Sequence, residues 1–211
     1  GKTNQDSFSV ALGNNAGNHN QGTGAVAIGT SAGTTDQDNF SVAIGNQAGQ
    51  TNQHSFSVAL GNNAGNHNQA TGAVAIGTSA GTTNQGNYSV AIGRQAGNTN
   101  QGNYSIALGH SAGQTNQGIR AVALGPNTVC QNDYSVAIGY QAQTTAHNQI
   151  VLGKTNTTVS IPGTIEAFSF NATSDIRFKE NITSLKDSLD KICNIRGVKY
   201  LSLIHISEPT R

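Results

Sequence analysis

Tryptophan and methionine are absent from the 211 residues, aromatic residues make up 5% and charged residues only 10%. About 25% charged is usual for a soluble globule, so an ordinary domain with a charged skin around an aromatic core fits poorly. Two cysteines, Cys130 and Cys193, lie in different regions and make no disulfide framework. The formal net charge is +1, which points neither to nucleic acid nor to an acidic membrane as a partner. No run approaches the ~18 apolar residues of a membrane-spanning helix, so no membrane insertion is expected. No leader segment is visible, but the first residues already belong to a repeat, and a preceding stretch is expected to be missing.

Glycine is abundant, at 26 residues, and Asn, Gln, Ser and Thr fill much of the rest. That composition alone reads as low complexity and disorder. A strict apolar repeat argues otherwise. Ser41-Val42-Ala43-Ile44-Gly45 recurs with glycines at 13, 29, 45, 61, 77, 93, 109 and 125, a spacing of 16 each time, then at 139 and 153, a spacing of 14. A short fixed period makes each unit one coil of a stack. Residues 9–49 match 57–97 except at Gly22/Ala70, Asp36/Asn84, Asp38/Gly86, Phe40/Tyr88 and Asn46/Arg94, so three coils are duplicated as a block.

The motif alternates as a strand does, with Val42 and Ile44 on one side and Ser41 and Ala43 on the other. Gly45 ends it at a corner. Gln47-Ala48-Gly49 reads as a second segment, followed by a polar arc, Thr51-Asn52-Gln53. Stacked coils put equivalent residues above one another at about 4.8 Å. This makes columns of alanine (Ala16 to Ala112), of glutamine (Gln5 to Gln117) and of asparagine (Asn4 to Asn116, with Asp36 among them). The amide columns read either as ladders bonded side chain to side chain or as a solvated polar edge. The inward set is expected to be Val, Ile or Leu and Ala, with Phe or Tyr in some coils. At about 25 cal/mol per Å2 this is a thin core for the ordering cost of a coil. The small-residue face, Ala43, Ala59 and Ala91, is expected to pack against further copies of the chain.

Ser-Val-Ala-Ile-Gly-x-x-Ala-Gly at this period resembles the head repeat of trimeric autotransporter adhesins of the YadA type, over residues 8 to about 153. The resemblance implies an all-β fold, a left-handed parallel β-roll, here with 16-residue coils and 14-residue last coils. It also implies a homotrimer with threefold symmetry, working as an extended stalk or head at a surface. The same repeats occur in phage and large-virus fibres.

After Gly153 the texture changes. Val159-Ser160-Ile161-Pro162-Gly163-Thr164-Ile165 reads as strand and turn. Thr173-Ser174-Asp175-Ile176-Arg177-Phe178-Lys179-Glu180-Asn181-Ile182 resembles the start of the peptidase S74 intramolecular chaperone of tail fibres and endosialidases. That resemblance implies Ser174 as nucleophile and Lys179 as its general base, cutting the chain just before Ser174 once the trimer has formed. A serine hydroxyl needs a base, and a lysine in an apolar site can lose its proton. Ser184 to Ile195 reads as a short amphipathic helix, with Leu185, Leu189, Ile192 and Ile195 at helical spacing. The tail 201–211 resembles translated sequencing-adapter read-through. The expected organisation is therefore solenoid repeats at 1–153, a connector at 154–173, a truncated chaperone start at 174–200 and a non-native tail at 201–211. Some 27 residues of chaperone cannot build their own core, so a longer parent is expected to cut once and this chain is not.

Weaker signals exclude more than they offer. The histidines, with His19 and His67 in one column and His54, His110 and His147 scattered, show no metal-ligand spacing, and no cofactor is expected. Asn-x-Ser/Thr at Asn39, Asn87, Asn103, Asn156, Asn171 and Asn181 is ordinary in an Asn-rich chain. The leading expectation is a structural fibre or adhesin at a virion or cell surface. Its partners would be its own copies and a host receptor, a glycan among the candidates. The alternatives are self-processing as the main activity, through Ser174 and Lys179, and an ice-binding solenoid, whose Thr columns are interrupted by His19 and His67.

Overall fold

The computed structural model describes residues 3–164 and residue 166. Within the unit that ends at Pro162, the chain winds as a parallel β-solenoid with two short strands in each coil as far as Leu108 and one in each coil after it. The Val-Ala-Ile motif builds a ten-stranded parallel sheet, from Val10–Leu12 to Ile150–Leu152. The polar Thr-Asn-Gln arc builds a seven-stranded parallel sheet, from Thr3–Gln5 to Thr99–Gln101. Each residue sits on its equivalent in the neighbouring coil, Val26 on Val42 and Thr35 on Thr51. The step shortens to 14 residues where Leu124 pairs with Ile138 and Ile138 with Leu152.

Two expectations about the coil are corrected. The second strand is the polar arc, whereas Gln47-Ala48-Gly49 is turn. Asn52 carries the reason: it takes φ +52° within that strand, as do Asn20, Asp36, Asn68 and the rest of the column at about the same value. Asn and Asp are the side-chain-bearing residues that visit this left-handed region most readily. The strand can thus aim Gln53 inward while Asn52 stays on the outside.

The larger correction concerns which face is inside. Ala27, Ala43, Ala59, Ala75 and Ala91 are completely buried, and so are Ser41, Ser57, Ser89 and Ser105. Val42 and Ile44 are only half-buried and face outward, and Leu60 and Leu108 are exposed. Phe40, Phe56, Tyr88 and Tyr104, expected in the core, are exposed as well. The interior belongs to Ala, Ser and Gln because the opposite sheet projects a full-length glutamine into it. Gln53 Nε2 crosses the coil to donate to the Val42 carbonyl at 2.8 Å. Only a methyl or hydroxymethyl group fits opposite.

The glutamine column is a ladder, and it is inside. Gln37 donates to Gln53, Gln53 to Gln69 and Gln69 to Gln85, each at 3.2 Å between Nε2 and Oε1. Every inward serine is satisfied too: Ser41 Oγ donates to the Asp38 carbonyl and Ser105 Oγ to the Gly102 carbonyl, both at 2.7 Å. Buried polar groups are tolerable only when paired in this way. Past Gln85 the side-chain ladder stops; Gln101 and Gln117 keep their main-chain bonds, and their Oε1 atoms have no donor.

Where the coil shortens, the interior narrows. The Gly102 N–H donates to the Gln117 carbonyl, and one coil on the Gly118 N–H donates to the Cys130 carbonyl. Cys130 thus takes the glutamine position, and Thr144, whose hydroxyl lies 3.7 Å from its Sγ, follows. Both are buried and both are much smaller than Gln. Burial pushes the Cys130 thiol pKa up, with the Thr144 hydrogen bond acting the other way. The polar sheet ends in the same place, and beyond it only isolated bridges remain, Thr99 to Thr115 and Val129 to Gln143.

The corner glycine is a second fixed point. Gly45 holds φ +130°, and a Cβ there would lie 2.5 Å from the Gly61 carbonyl oxygen of the next coil. Backbone cannot move aside as a flexible side chain can. Gly45→Ala is expected to cost at least about 2 kcal/mol, since a strained φ alone costs of order 1–3 kcal/mol. Urea unfolding at fixed protein concentration measures it.

Beyond Gly153 the described residues form no further strand. The strand expected at Val159–Ile165 is absent through Thr164. Val159 and Ile161 are exposed, and Pro162 has no N–H to offer a ladder.

Candidate interaction surface

With Ala, Ser and Gln inside, the outer surface carries everything that can act on a partner. One face is the outward side of the Val-Ala-Ile sheet. Val26, Val42, Val58, Val74 and Val90 make one column and Ile28, Ile44, Leu60, Ile76 and Ile92 the next, in register. Ten strands at about 4.8 Å make a ribbon roughly 45 Å long. Two columns wide, it offers on the order of 400 Å2 of apolar surface per chain. That is as large as the largest patches monomers commonly expose, and such patches mark interaction sites.

Beside this ribbon, two residues before each strand, runs a column of rings. Phe40 stacks on Phe56 with centroids 5.6 Å apart, and Tyr88 on Tyr104 at 5.5 Å. Arg120 continues the upper stack, its guanidinium 5.6 Å from the Tyr104 centroid and 5.5 Å from that of Tyr134. All hold positive φ, from +53° at Tyr88 to +61° at Phe56. That is an outlier for a bulky residue, and glycine would take it without strain. Gly24 and Gly72 do occupy this column, and there the ring of the next coil lies over the bare Cα: a Cβ on Gly24 would meet Phe40 at 2.9 Å.

The polar sheet presents the asparagine ladder. Asn52 donates to Asn68, Asn68 to Asn84, Asn84 to Asn100 and Asn100 to Asn116, at 2.9 to 3.0 Å. Asp36 accepts from Asn20 at 2.7 Å and cannot donate onward, so the run restarts at Asn52. Both amide columns are therefore bonded ladders, one buried and one at the surface.

Three histidines pair locally with neighbours one coil away. His54 Nδ1 lies 3.0 Å from Asp38 Oδ2, His110 Nε2 3.0 Å from Arg94 Nη1, and the Asp133 N–H donates to His147 Nδ1 at 3.0 Å. Among the described residues no three His, Cys, Asp or Glu gather as a metal site would require. Nor is any helix among them long and apolar enough to cross a membrane. The sequons at Asn39, Asn87 and Asn103 are closed in the folded coil, because Ser41, Ser89 and Ser105 are fully buried. An open groove of about 810 Å3 at the last coils, lined by Val129, Gln143, Val151 and Lys154 among others, gathers no titratable cluster. Ser174 and Lys179, and the helix expected at Ser184–Ile195, lie outside the described residues.

The YadA head domain repeat family matches residues 21–48, 69–96, 117–142 and 131–153. The chaperone of endosialidase family, Peptidase_S74, matches 174–207, which takes in the first residues of the 201–211 tail. Among solved structures, the collagen-binding domain of the Yersinia adhesin YadA is similar at 22% identity and a TM-score of 0.55, over 82% of this chain and 95% of that one. No curated protein matches the chain. The chain thus carries YadA-head-like β-solenoid repeats followed by a Peptidase_S74 chaperone motif.

Proposed function

We propose that a chain with these repeats and this motif is the shaft or head of a surface fibre, a left-handed β-roll that works as a homotrimer and attaches its bearer to a host surface. The observation that carries this is the apolar ribbon. The 16-residue coils bury chiefly Ala, Ser and Gln, while Val and Ile or Leu stand outside in unbroken columns. Three parallel copies around one axis would cover all three ribbons at once and leave no apolar face. Threefold symmetry and the left-handed winding rest on the resemblance to YadA-type heads.

Light scattering on the full chain tests the proposal. The expected mass is three times 21.7 kDa, with a β-rich circular dichroism spectrum on the same sample. A β-rich monomer would overturn it. The bearer is a virion or a cell. The attachment partner is a host-surface molecule, and because the similar solved domain is named for collagen binding, collagen belongs among the first ligands tried.

Self-processing is the subordinate part of this proposal. Ser174 would attack the bond before it with Lys179 as base, once, in an intact parent whose chaperone is complete. The 211-residue chain is expected to remain whole by mass spectrometry. The parent should yield a new N-terminus at Ser174 that Ser174→Ala abolishes. An uncut wild-type parent trimer would remove the peptidase role and leave the fibre intact. The ice-binding alternative gains nothing from the geometry: the polar face is an Asn ladder bonded to itself, not an open row of threonines.

A further inference from the structure

The duplicated block changes at five positions, and four of the changes point one way. Phe40 becomes Tyr88, adding a hydroxyl to the exposed ring column. Asn46 becomes Arg94, adding a cation. Asp36 becomes Asn84 and Asp38 becomes Gly86, removing two acids, one of them two residues from the ring. The Val-Ala-Ile and Val-Ala-Leu strands, the buried glutamines and the inward serines are untouched, and the one change within a strand, Asp36 to Asn84, is on the outward side of the polar sheet. Surface chemistry alone has moved, toward binding negative charge.

The stack above the second block continues the trend. Tyr88, Tyr104, Arg120 and Tyr134 stand one coil apart in a single exposed column. The Arg120 guanidinium lies 5.6 Å from the Tyr104 centroid and 5.5 Å from that of Tyr134, on an exposed residue, and its Nη1 donates to the Tyr134 hydroxyl at 3.3 Å. Among the described residues the carboxylates in contact with a basic side chain are Asp38, beside His54, and Asp133, beside His147, so no carboxylate pairs with Arg94, Arg120 or Lys154. The nearby acid, Asp133, is engaged: its Oδ1 accepts from the Ile119 N–H at 2.8 Å and its Oδ2 lies 3.9 Å from His147. The three cations contact His110, the tyrosines, and Gln141 with the Tyr140 ring, respectively. A guanidinium fork with no carboxylate partner is suited to a carboxylate or sulfate, which it can take with two parallel hydrogen bonds.

We propose that the Tyr88–Tyr104–Arg120–Tyr134 column is a binding site for a linear anionic polysaccharide lying along the fibre axis. Resting on the fibre proposal, this names the class of surface ligand that the fibre takes. Arg120 holds an acidic group, and the tyrosine hydroxyls above and below bond sugar hydroxyls, about one sugar to a coil. Tyr88 and Tyr104 stack on each other at an interplanar angle of 16°, and Arg120 lies over Tyr104 and Tyr134, so the column offers chiefly edges and hydroxyls, not open faces for bases to stack on. This disfavours single-stranded nucleic acid, which needs open ring faces.

The test uses the full chain, with dextran sulfate and hyaluronate as probes and uncharged dextran and oligothymidylate as comparisons. Wild type is expected to bind one or both acidic polymers and not dextran; sulfated and carboxylated ligands are told apart by which one binds. Arg120→Gln is expected to weaken binding at least about tenfold, the loss of one charge-assisted bond or more. Arg120→Lys keeps the charge but not the fork, and is expected to remain several-fold weak. Light scattering accompanies each sample. Wild-type affinity in Arg120→Gln or Arg120→Lys overturns the site, as does tight oligothymidylate binding lost by the same substitutions. A changed mass in Arg120→Gln would make the column a contact between copies and also overturns it. A wild-type trimer that binds neither polymer sinks the site alone, whereas a wild-type monomer sinks the fibre proposal on which it rests.

Discussion

Ile44→Glu combined with Leu60→Glu is expected to reduce the solution mass from three chains to one and leave the circular dichroism spectrum almost unchanged. Both side chains leave the coil on its outward face, in adjacent strands near the middle of the ribbon. In a single chain their carboxylates would reach water at little cost. In the trimer six charges would meet near the axis with no counter-charge, and an unpaired buried charge costs several kcal/mol. The ribbon has limited capacity to absorb this. On the order of 400 Å2 at about 25 cal/mol per Å2 is on the order of 10 kcal/mol per chain before the losses of association. The companion substitution is Ala43→Leu. Ala43 is fully buried, and a Cβ on Gly49 would come within 3.2 Å of its methyl, so no room exists for three more carbons. It is expected to abolish the β-rich signal itself. If Ile44→Glu/Leu60→Glu stays trimeric, the ribbon is not the interface; if Ala43→Leu folds normally and loses only its trimer, the faces are the reverse of those described.

That pair of substitutions turns on the feature that the sequence conveyed least well. The period, the in-register columns, the corner glycine and the shortened last coils were all legible, because each follows from spacing. Alternation in Ser41-Val42-Ala43-Ile44 was legible too, but alternation separates two faces without saying which is inside. Hydrophobicity assigns Val and Ile to the core, and that is wrong here because the coil is too narrow: Gln53 already spans it to the Val42 carbonyl. A usable signal was present. The regularity of an outward polar column is loose, as Asp36 among the asparagines and His19 and His67 among the threonines show. The glutamine column admits no such exception from Gln5 to Gln117. A polar column that tolerates no substitute is behaving like a core. The case for association survives with the faces exchanged, since a coil whose interior is Ala, Ser and Gln leaves more apolar surface uncovered than one with Val and Ile inside. The ring column was not foreseen as a surface; its clue was glycine at 24 and 72 in line with Phe and Tyr, which marks a position of positive φ.

Gln53→Leu is expected to destabilise the folded chain by about 2–4 kcal/mol although leucine fills nearly the same space. The loss is in hydrogen bonds. Gln53 Nε2 donates to the Val42 carbonyl at 2.8 Å and to Gln69 Oε1 at 3.2 Å, while Gln53 Oε1 accepts from Gln37 at 3.2 Å. Leucine leaves Gln69 Oε1 buried with no side-chain donor, at about 1–3 kcal/mol, and removes the tie between the two sheets at about 0.5–1.5 kcal/mol more. Asn68→Asp makes the contrast. It removes one bond of the outer ladder, to Asn84, at a position open to water, and Asp36 already occupies that column with φ +52°. It is expected to stay within about 0.5 kcal/mol of the parent. Urea unfolding of both variants and the parent at one protein concentration decides between them, since the stability of an oligomer shifts with concentration. Equal effects would reduce the glutamines to space-filling. A large effect at Gln53 alone would establish that the polar interior holds the stack together. In a solenoid each coil is stabilised by its immediate neighbours, so one broken rung at the middle would divide the array into two weaker halves.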